Sequence, residues 1–129
     1  MAAAAAFAIA TATPGAGPPA GVAQVTPVPA TPETVVAGAE LYRKYCRECH
    51  GPAGAGGIGD EGGPRPADLS DARWDHGGTD ADIATVIRDG LGPDYYMPRF
   101  KDRLSEVDIW SVVHFVQTLA KTGAPQTAQ

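Results

Sequence analysis

The sequence predicts an all-α fold of three or four helices. Three segments repeat apolar residues at the intervals of a helix face, at about 32–46, 80–89 and 106–122. Each follows a residue suited to cap a helix, namely Thr31, Thr79 and Ser105. No stretch alternates apolar and polar residues as a half-buried strand does. The 129-residue chain is therefore expected to form one helical domain with a tail.

Composition divides the chain into four parts. Residues 1–12 are Ala-rich and end in Ala-Thr-Ala, which resembles a signal-peptidase site, so an export leader is the favoured interpretation, with a part of the tail as the alternative. Residues 13–32 are rich in Pro, Ala and Gly and are expected to form a linker or disordered tail. The folded domain is assigned to 33–123 and a short tail to 124–129. A formal net charge of -5 makes nucleic acid an unsuitable partner.

Both cysteines of the chain lie in one motif. Cys46 and Cys49 are followed directly by His50, which gives the C-x-x-C-H pattern of covalent haem attachment. Two thiols three positions apart on a helical turn can reach the two vinyl groups along one haem edge. The imidazole of His50 is then held beneath the iron as the proximal ligand.

Three other uses of the two cysteines fit less well. A thioredoxin-like redox pair belongs beside a βαβ pattern, which is absent from the sequence. A disulfide across two intervening residues is strained and leaves His50 without a role. A zinc site needs a second pair of ligands, and the chain has no further cysteine.

Met97 is the candidate for the sixth iron ligand. It lies between Tyr96 and Pro98 in a loop, which is an unusual place for a methionine that only fills a core. His76 and His114 are the competing ligands, and either would give a bis-histidine haem.

Three further residues are candidates for contacts with the haem. The carbonyl of Pro64 could accept the proton of the second His50 nitrogen and so fix the tautomer of the ring. Arg65 and Trp74 are donors that could bind the haem propionates. A surface arginine and a core tryptophan are the alternative interpretations of these two residues.

With these residues placed, residues 34–121 resemble the class I mono-haem cytochromes c of the bacterial periplasmic type. In that family a glycine and an aromatic residue of the first helix meet an aromatic residue of the last helix. Gly38, Tyr42 and Phe115 occupy the matching positions. The resemblance implies a small cytochrome c fold in which three to four helices surround one covalently bound haem.

The resemblance also implies a function. We expect an exported, periplasmic one-electron carrier with one haem c attached through Cys46 and Cys49, and with its iron bound by His50 and Met97. A periplasmic dehydrogenase is the expected donor, and an oxidase or another cytochrome is the expected acceptor. The protein is expected to be a monomer with no catalytic residues, and to touch a membrane only through an N-terminal tether.

Two alternatives remain open from the sequence. The chain could be the haem domain of a larger quinoprotein dehydrogenase or oxidase. It could also be a haem enzyme or sensor whose sixth ligand is labile. Cations that lie close in sequence to the haem ligands could form a basic rim for partner docking; these are Arg43, Lys44, Arg47, Arg99, Lys101 and Arg103. The alternative is that they are ordinary solvated charges, interleaved with Glu48 and Asp102.

Overall fold

The computed structural model describes residues 27–57, 65–71, 73–94 and 96–122. These stretches contain four helices and no strand, apart from one isolated β-bridge between Leu91 and Met97. The helices are α1 (Pro32–Tyr45), α2 (Arg47–His50), α3 (Asp80–Asp89) and α4 (Glu106–Thr122). The predicted all-α class is confirmed. The first helix ends one residue earlier than expected, and the haem motif forms the separate short helix α2.

The three long helices all begin with a reciprocal pair of hydrogen bonds. The side chain of the capping residue accepts a hydrogen bond from the backbone amide three positions later. The side chain of that later residue accepts in turn from the backbone amide of the capping residue. The pairs are Thr31 with Thr34, Thr79 with Asp82 and Ser105 with Asp108. Local sequence therefore fixes where each long helix begins.

Helix α4 forms the centre of the core. Its residues from Ile109 to His114 are all buried, so the helix is enclosed on every side at its middle. Helix α3 buries Ile83 and Ile87 in the same core. Its end is joined to the start of α4 by a bidentate pair, in which Arg88 donates to both carboxylate oxygens of Glu106 at 2.7 Å.

Helices α1 and α4 cross in direct backbone contact at Gly38. A Cβ at this position would collide with the carbonyl group of Ser111 and would lie 3.0 Å from the Cβ of Phe115. One turn along α1, the rings of Tyr42 and Phe115 pack with their centroids 5.1 Å apart. The predicted contact between Gly38, Tyr42 and Phe115 is confirmed.

Among the described residues, none of the helices combines the length and the apolar character needed to cross a membrane.

The crossing yields a stability prediction. Gly38→Ala should raise the intrinsic helix propensity of α1, yet it should lower the free energy of unfolding by about 1–3 kcal/mol, because the new methyl group overpacks the backbone of α4. Chemical denaturation of the purified protein measures the change. Ala37→Gly, at the neighbouring exposed position, is the control and should cost only about 1 kcal/mol of helix propensity. A Gly38→Ala variant as stable as the parent would contradict a close crossing.

Candidate cofactor site

A cavity of about 460 Å³ lies between the helices and the loops that join them. Its size is that of a pocket for a small organic ligand. Most of its walls are apolar. They are formed by the ends of α1 and α3, one face of α4 and the loop after α3, including Tyr45, Ile83, Val86, Ile87, Leu91, Phe100, Val112 and Val116.

The two cysteines and His50 lie together at one wall of this cavity. Helix α1 ends at Tyr45, and α2 begins at Arg47, so Cys46 lies at the junction. The amides of Cys49 and His50 both donate to the carbonyl of Cys46, at 3.2 and 2.9 Å, which holds the motif in one turn. Both thiols are free; Cys46 is half-buried and Cys49 exposed. Burial raises the pKa of the Cys46 thiol, as it stands before haem attachment, to about 12.

The ring of His50 is oriented by a backbone carbonyl. Its Nδ1 lies 3.0 Å from the carbonyl oxygen of Ala67, which can only accept, so Nδ1 carries the proton and Nε2 keeps a free lone pair. The sequence assigned this role to Pro64, which lies outside the described residues. No side-chain signal marks Ala67, because the group that acts is its carbonyl.

Two glycines allow the segment that carries Ala67 to approach the motif. The amide of Leu69 donates to the carbonyl of Gly54 at 2.6 Å, and the amide of Gly56 donates to the carbonyl of His50 at 2.9 Å. A Cβ on Gly56, whose φ is +68°, would lie 2.6 Å from the carbonyl oxygen of Pro66. The Gly-rich stretch after the motif therefore permits close backbone contact, as its composition suggests.

Met97 lines the same cavity from the loop after α3. Its carbonyl accepts from the amide of Leu91 at 3.0 Å, and the amide of Phe100 donates to the carbonyl of Ile87 at 3.1 Å. The loop is therefore fixed to the end of α3 both before and after Met97. Gly90 ends α3 with φ at +68°, and a Cβ there would lie 2.6 Å from the Met97 carbonyl oxygen. The loop is thus closely packed on the end of α3, and Met97 is half-buried.

Exposed side chains with N–H donors line the opening of the cavity, which we call its mouth. Arg65 is exposed, Trp74 is half-buried and packed against the core, and both line the cavity. Arg73 and His76 lie there as well. The sequence did not single out Arg73, since an arginine in a loop has no pattern that separates it from other surface charges.

The competing ligand His114 does not line the cavity. It is buried on α4, and its Nε2 lies 2.6 Å from the carbonyl oxygen of Val28. A zinc site finds no support either. Within the described stretches, no three His, Cys, Asp or Glu side chains are grouped so that they could hold a metal ion.

The residues that line the cavity fit a haem. Apolar walls suit a macrocycle, two free thiols suit thioether formation, and an oriented imidazole and a thioether sulfur are both ligands of haem iron. The fold and this site together define a mono-haem c-type cytochrome domain.

Comparison with known proteins agrees with this class. The family described as "Cytochrome C oxidase, cbb3-type, subunit III" matches residues 33–116, and the chain belongs to this family. The haem is therefore a covalently bound haem c with its iron.

Curated relatives include subunits of cbb3-type oxidases. The chain is 32% identical over 105 residues to the "Cbb3-type cytochrome c oxidase subunit CcoP" of Rhodobacter capsulatus, covering 76% of this chain and 33% of that protein. It is 37% identical over 82 residues to the "Cbb3-type cytochrome c oxidase subunit FixP" of Azorhizobium caulinodans, covering 64% of this chain and 26% of that protein. The chain thus spans about a quarter to a third of the length of these relatives.

A solved structure shares the fold. A chain of the "reducing HAO-like protein complex Kustc0457/Kustc0458" of Kuenenia stuttgartiensis superposes with a TM-score of 0.65 at 27% identity. The match covers 80% of this chain and 51% of that one.

The buried phenol of Tyr42 yields a pH prediction. Its hydroxyl donates to the carbonyl of Gly51 at 2.7 Å, and burial raises the pKa of Tyr42 to about 12. The pKa of Tyr42 is higher in the folded state than in the unfolded state. The protonated phenol therefore contributes fully to the free energy of unfolding below about pH 10, and this contribution, about 1–3 kcal/mol, is lost as the pH rises towards 12. Tyr42→Phe should abolish this alkaline fall and should lower stability at pH 7 by about 1 kcal/mol.

Denaturant unfolding of the haem-loaded protein between pH 8 and 12 measures this difference. Tyr96→Phe, at an exposed phenol, is the control and should keep the alkaline fall. Parallel curves for the parent and Tyr42→Phe would show that another group is responsible.

Proposed function

We propose that this domain is a one-electron carrier that holds its haem through Cys46 and Cys49 and binds the iron with His50 and Met97. The observation that supports the proposal is that all four side chains line one apolar cavity, although Met97 is 47 positions beyond His50 in the sequence. When bound, the haem supplies a single iron that takes up and releases one electron.

The surroundings of both ligands favour a carrier over an enzyme. The Ala67 carbonyl fixes the tautomer of His50, and the backbone hydrogen bonds of the Met97 loop hold that residue in place. Ligands that stay in place in both oxidation states keep reorganisation small, which suits rapid electron transfer. Two protein ligands also leave no position on the iron for a substrate. Arg65, Arg73 and Trp74 are proposed as donors to the haem carboxylates at the mouth.

A second candidate function is electron transfer inside a larger assembly. The relatives CcoP and FixP are named as subunits of cbb3-type oxidases, and the chain spans only part of their length. In this case the same site would pass electrons to an oxidase. Both candidates place the domain in the periplasm, since haem attachment to a C-x-x-C-H motif normally follows export.

The sixth ligand is tested by spectroscopy of Met97→Ala. The oxidised parent should show the weak far-red band of methionine sulfur-to-iron charge transfer. The variant should lose this band and bind exogenous imidazole or cyanide much more readily, because the iron then has an open position. His76→Ala, which changes the competing histidine at the cavity, is the control and should keep the band. A band that survives in Met97→Ala would rule out Met97 as the ligand.

We further propose that partners dock at the mouth of the cavity through an apolar contact. Electron transfer slows steeply with distance, so a partner must approach the mouth. Tyr96 lies there with 66% of its surface exposed. The cations predicted to form a basic rim are partly compensated, because Lys101 pairs with Asp89 at 3.1 Å and Arg43 lies 3.9 Å from Glu40. An exposed tyrosine is a side chain favoured in protein interfaces.

Tyr96→Ser should therefore slow second-order electron transfer with a protein partner by about fivefold to tenfold, which corresponds to the roughly 1–1.4 kcal/mol of a modest interface contact. The rate of the parent should change little with ionic strength. Val36→Ser is the matched control, since Val36 is 62% exposed but does not line the cavity. A rate that falls steeply with salt, with no effect of Tyr96→Ser, would instead support the basic rim.

A further inference from the structure

The carbonyl that orients the ring of His50 lies on an exposed segment, so burial does not fix its direction. This oxygen belongs to Ala67, and both Ala67 and Asp68 are exposed. Water can compete for an exposed carbonyl oxygen and replace its partner. The contact of 3.0 Å between His50 Nδ1 and this oxygen therefore depends on how the backbone on both sides of the carbonyl is held.

The backbone before and behind the carbonyl is held by close contacts. Pro66 precedes Ala67, and its ring fixes the φ angle of that residue. Gly56 packs behind the carbonyl, since a Cβ there would lie 3.1 Å from the Ala67 oxygen. The amide of Gly56 also donates to the carbonyl of His50 at 2.9 Å. One residue thus contacts both members of the pair formed by His50 and Ala67.

Asp68 holds the backbone after the carbonyl. The oxygen belongs to the peptide that joins Ala67 to Asp68, so the backbone conformation of Asp68 affects where the oxygen points. Oδ1 of Asp68 accepts from the hydroxyl of Ser70 at 2.6 Å and from its amide at 2.8 Å, which closes an Asx-turn. The same two hydrogen bonds hold the pKa of Asp68 below its usual range, so the carboxylate is ionised at neutral pH.

We propose that Asp68 is a positioning residue for the proximal ligand. Its turn keeps the Ala67 carbonyl directed at Nδ1 of His50, and this hydrogen bond raises the basicity of Nε2, the nitrogen that binds the iron. A more basic ligand favours the ferric state. Asp68 itself does not line the cavity, so it acts through Ala67 and His50. The inference rests on the proposed function, in which His50 is an iron ligand.

The turn is tested by the exchange of the His50 Nδ1 proton with water, measured by NMR of the reduced, haem-loaded protein. Asp68→Ala removes the acceptor of the turn and should speed this exchange at least tenfold, because the carbonyl is then free to rotate away. Asp68→Asn loses the same charge but keeps an oxygen that can close the turn. Its exchange rate should stay within threefold of the parent.

Asp71→Ala is the matched control. Oδ1 of Asp71 accepts from the amide of Arg73 at 2.8 Å, which is the same kind of turn three positions later. The variant removes a turn and a negative charge but leaves the peptide between Ala67 and Asp68 unchanged. Its exchange rate should also stay within threefold of the parent. Haem absorption and helical circular dichroism confirm that each variant is folded.

The effect on the iron is tested by redox titration against a common mediator. Asp68→Ala and Asp68→Asn lose the same charge, so the difference between them reports the hydrogen bond. The equilibrium constant for reduction should be at least threefold larger in Asp68→Ala than in Asp68→Asn, because a less basic imidazole stabilises ferric iron less.

An exchange rate of Asp68→Ala within threefold of the parent would overturn the proposal. Equal acceleration in Asp68→Asn would overturn it as well, since the charge would then be responsible, and so would equal acceleration in Asp71→Ala. Equal reduction equilibria in Asp68→Ala and Asp68→Asn would refute the link from the turn to the iron. A parent protein that shows no reversible one-electron reduction would instead contradict the carrier function itself, so the two failures are distinguishable.

Discussion

The close crossing of α1 and α4 at Gly38 is the constraint on which the rest of the structure depends. It allows the backbones to touch at Ser111, and it fixes the line along which α1 runs. Since α1 ends at Tyr45, this line determines where Cys46 and the following turn meet the cavity. Helix α4 contributes Val112 to the same cavity, so one contact between two helices sets both the attachment point and a wall of the cofactor site.

The cofactor site also completes the core. Ile83, Val86 and Ile87 line the cavity, so the apolar face of α3 packs against the haem site and against α4. A domain of this size buries little apolar surface without such a centre, and a bound haem supplies it. Folding and function are coupled here because the same side chains enclose the cofactor and stabilise the domain.

Most features that depend on neighbouring residues could be predicted from the sequence, whereas those that depend on distant backbone could not. The hydrogen-bonded starts of the helices, such as Thr79 with Asp82, are local patterns, and the C-x-x-C-H motif carries its own chemistry. The partner of His50 is a carbonyl 17 positions away on Ala67, and every residue has a carbonyl. The contact of His114 with Val28 spans 86 positions and has no sequence signature.

Helix α1 gives the domain two chemically different ends. Its first turn is fixed by the reciprocal hydrogen bonds of Thr31 and Thr34, and its last turn leads into the cysteine motif at the cavity, about 20 Å away. The Gly38 crossing lies between these ends and holds α1 against the backbone of α4. A helix that crossed α4 at another angle would move Cys46 away from the cavity. A side chain at position 38 would collide with the backbone of α4, which explains why a glycine, costly within a helix, occupies the crossing point.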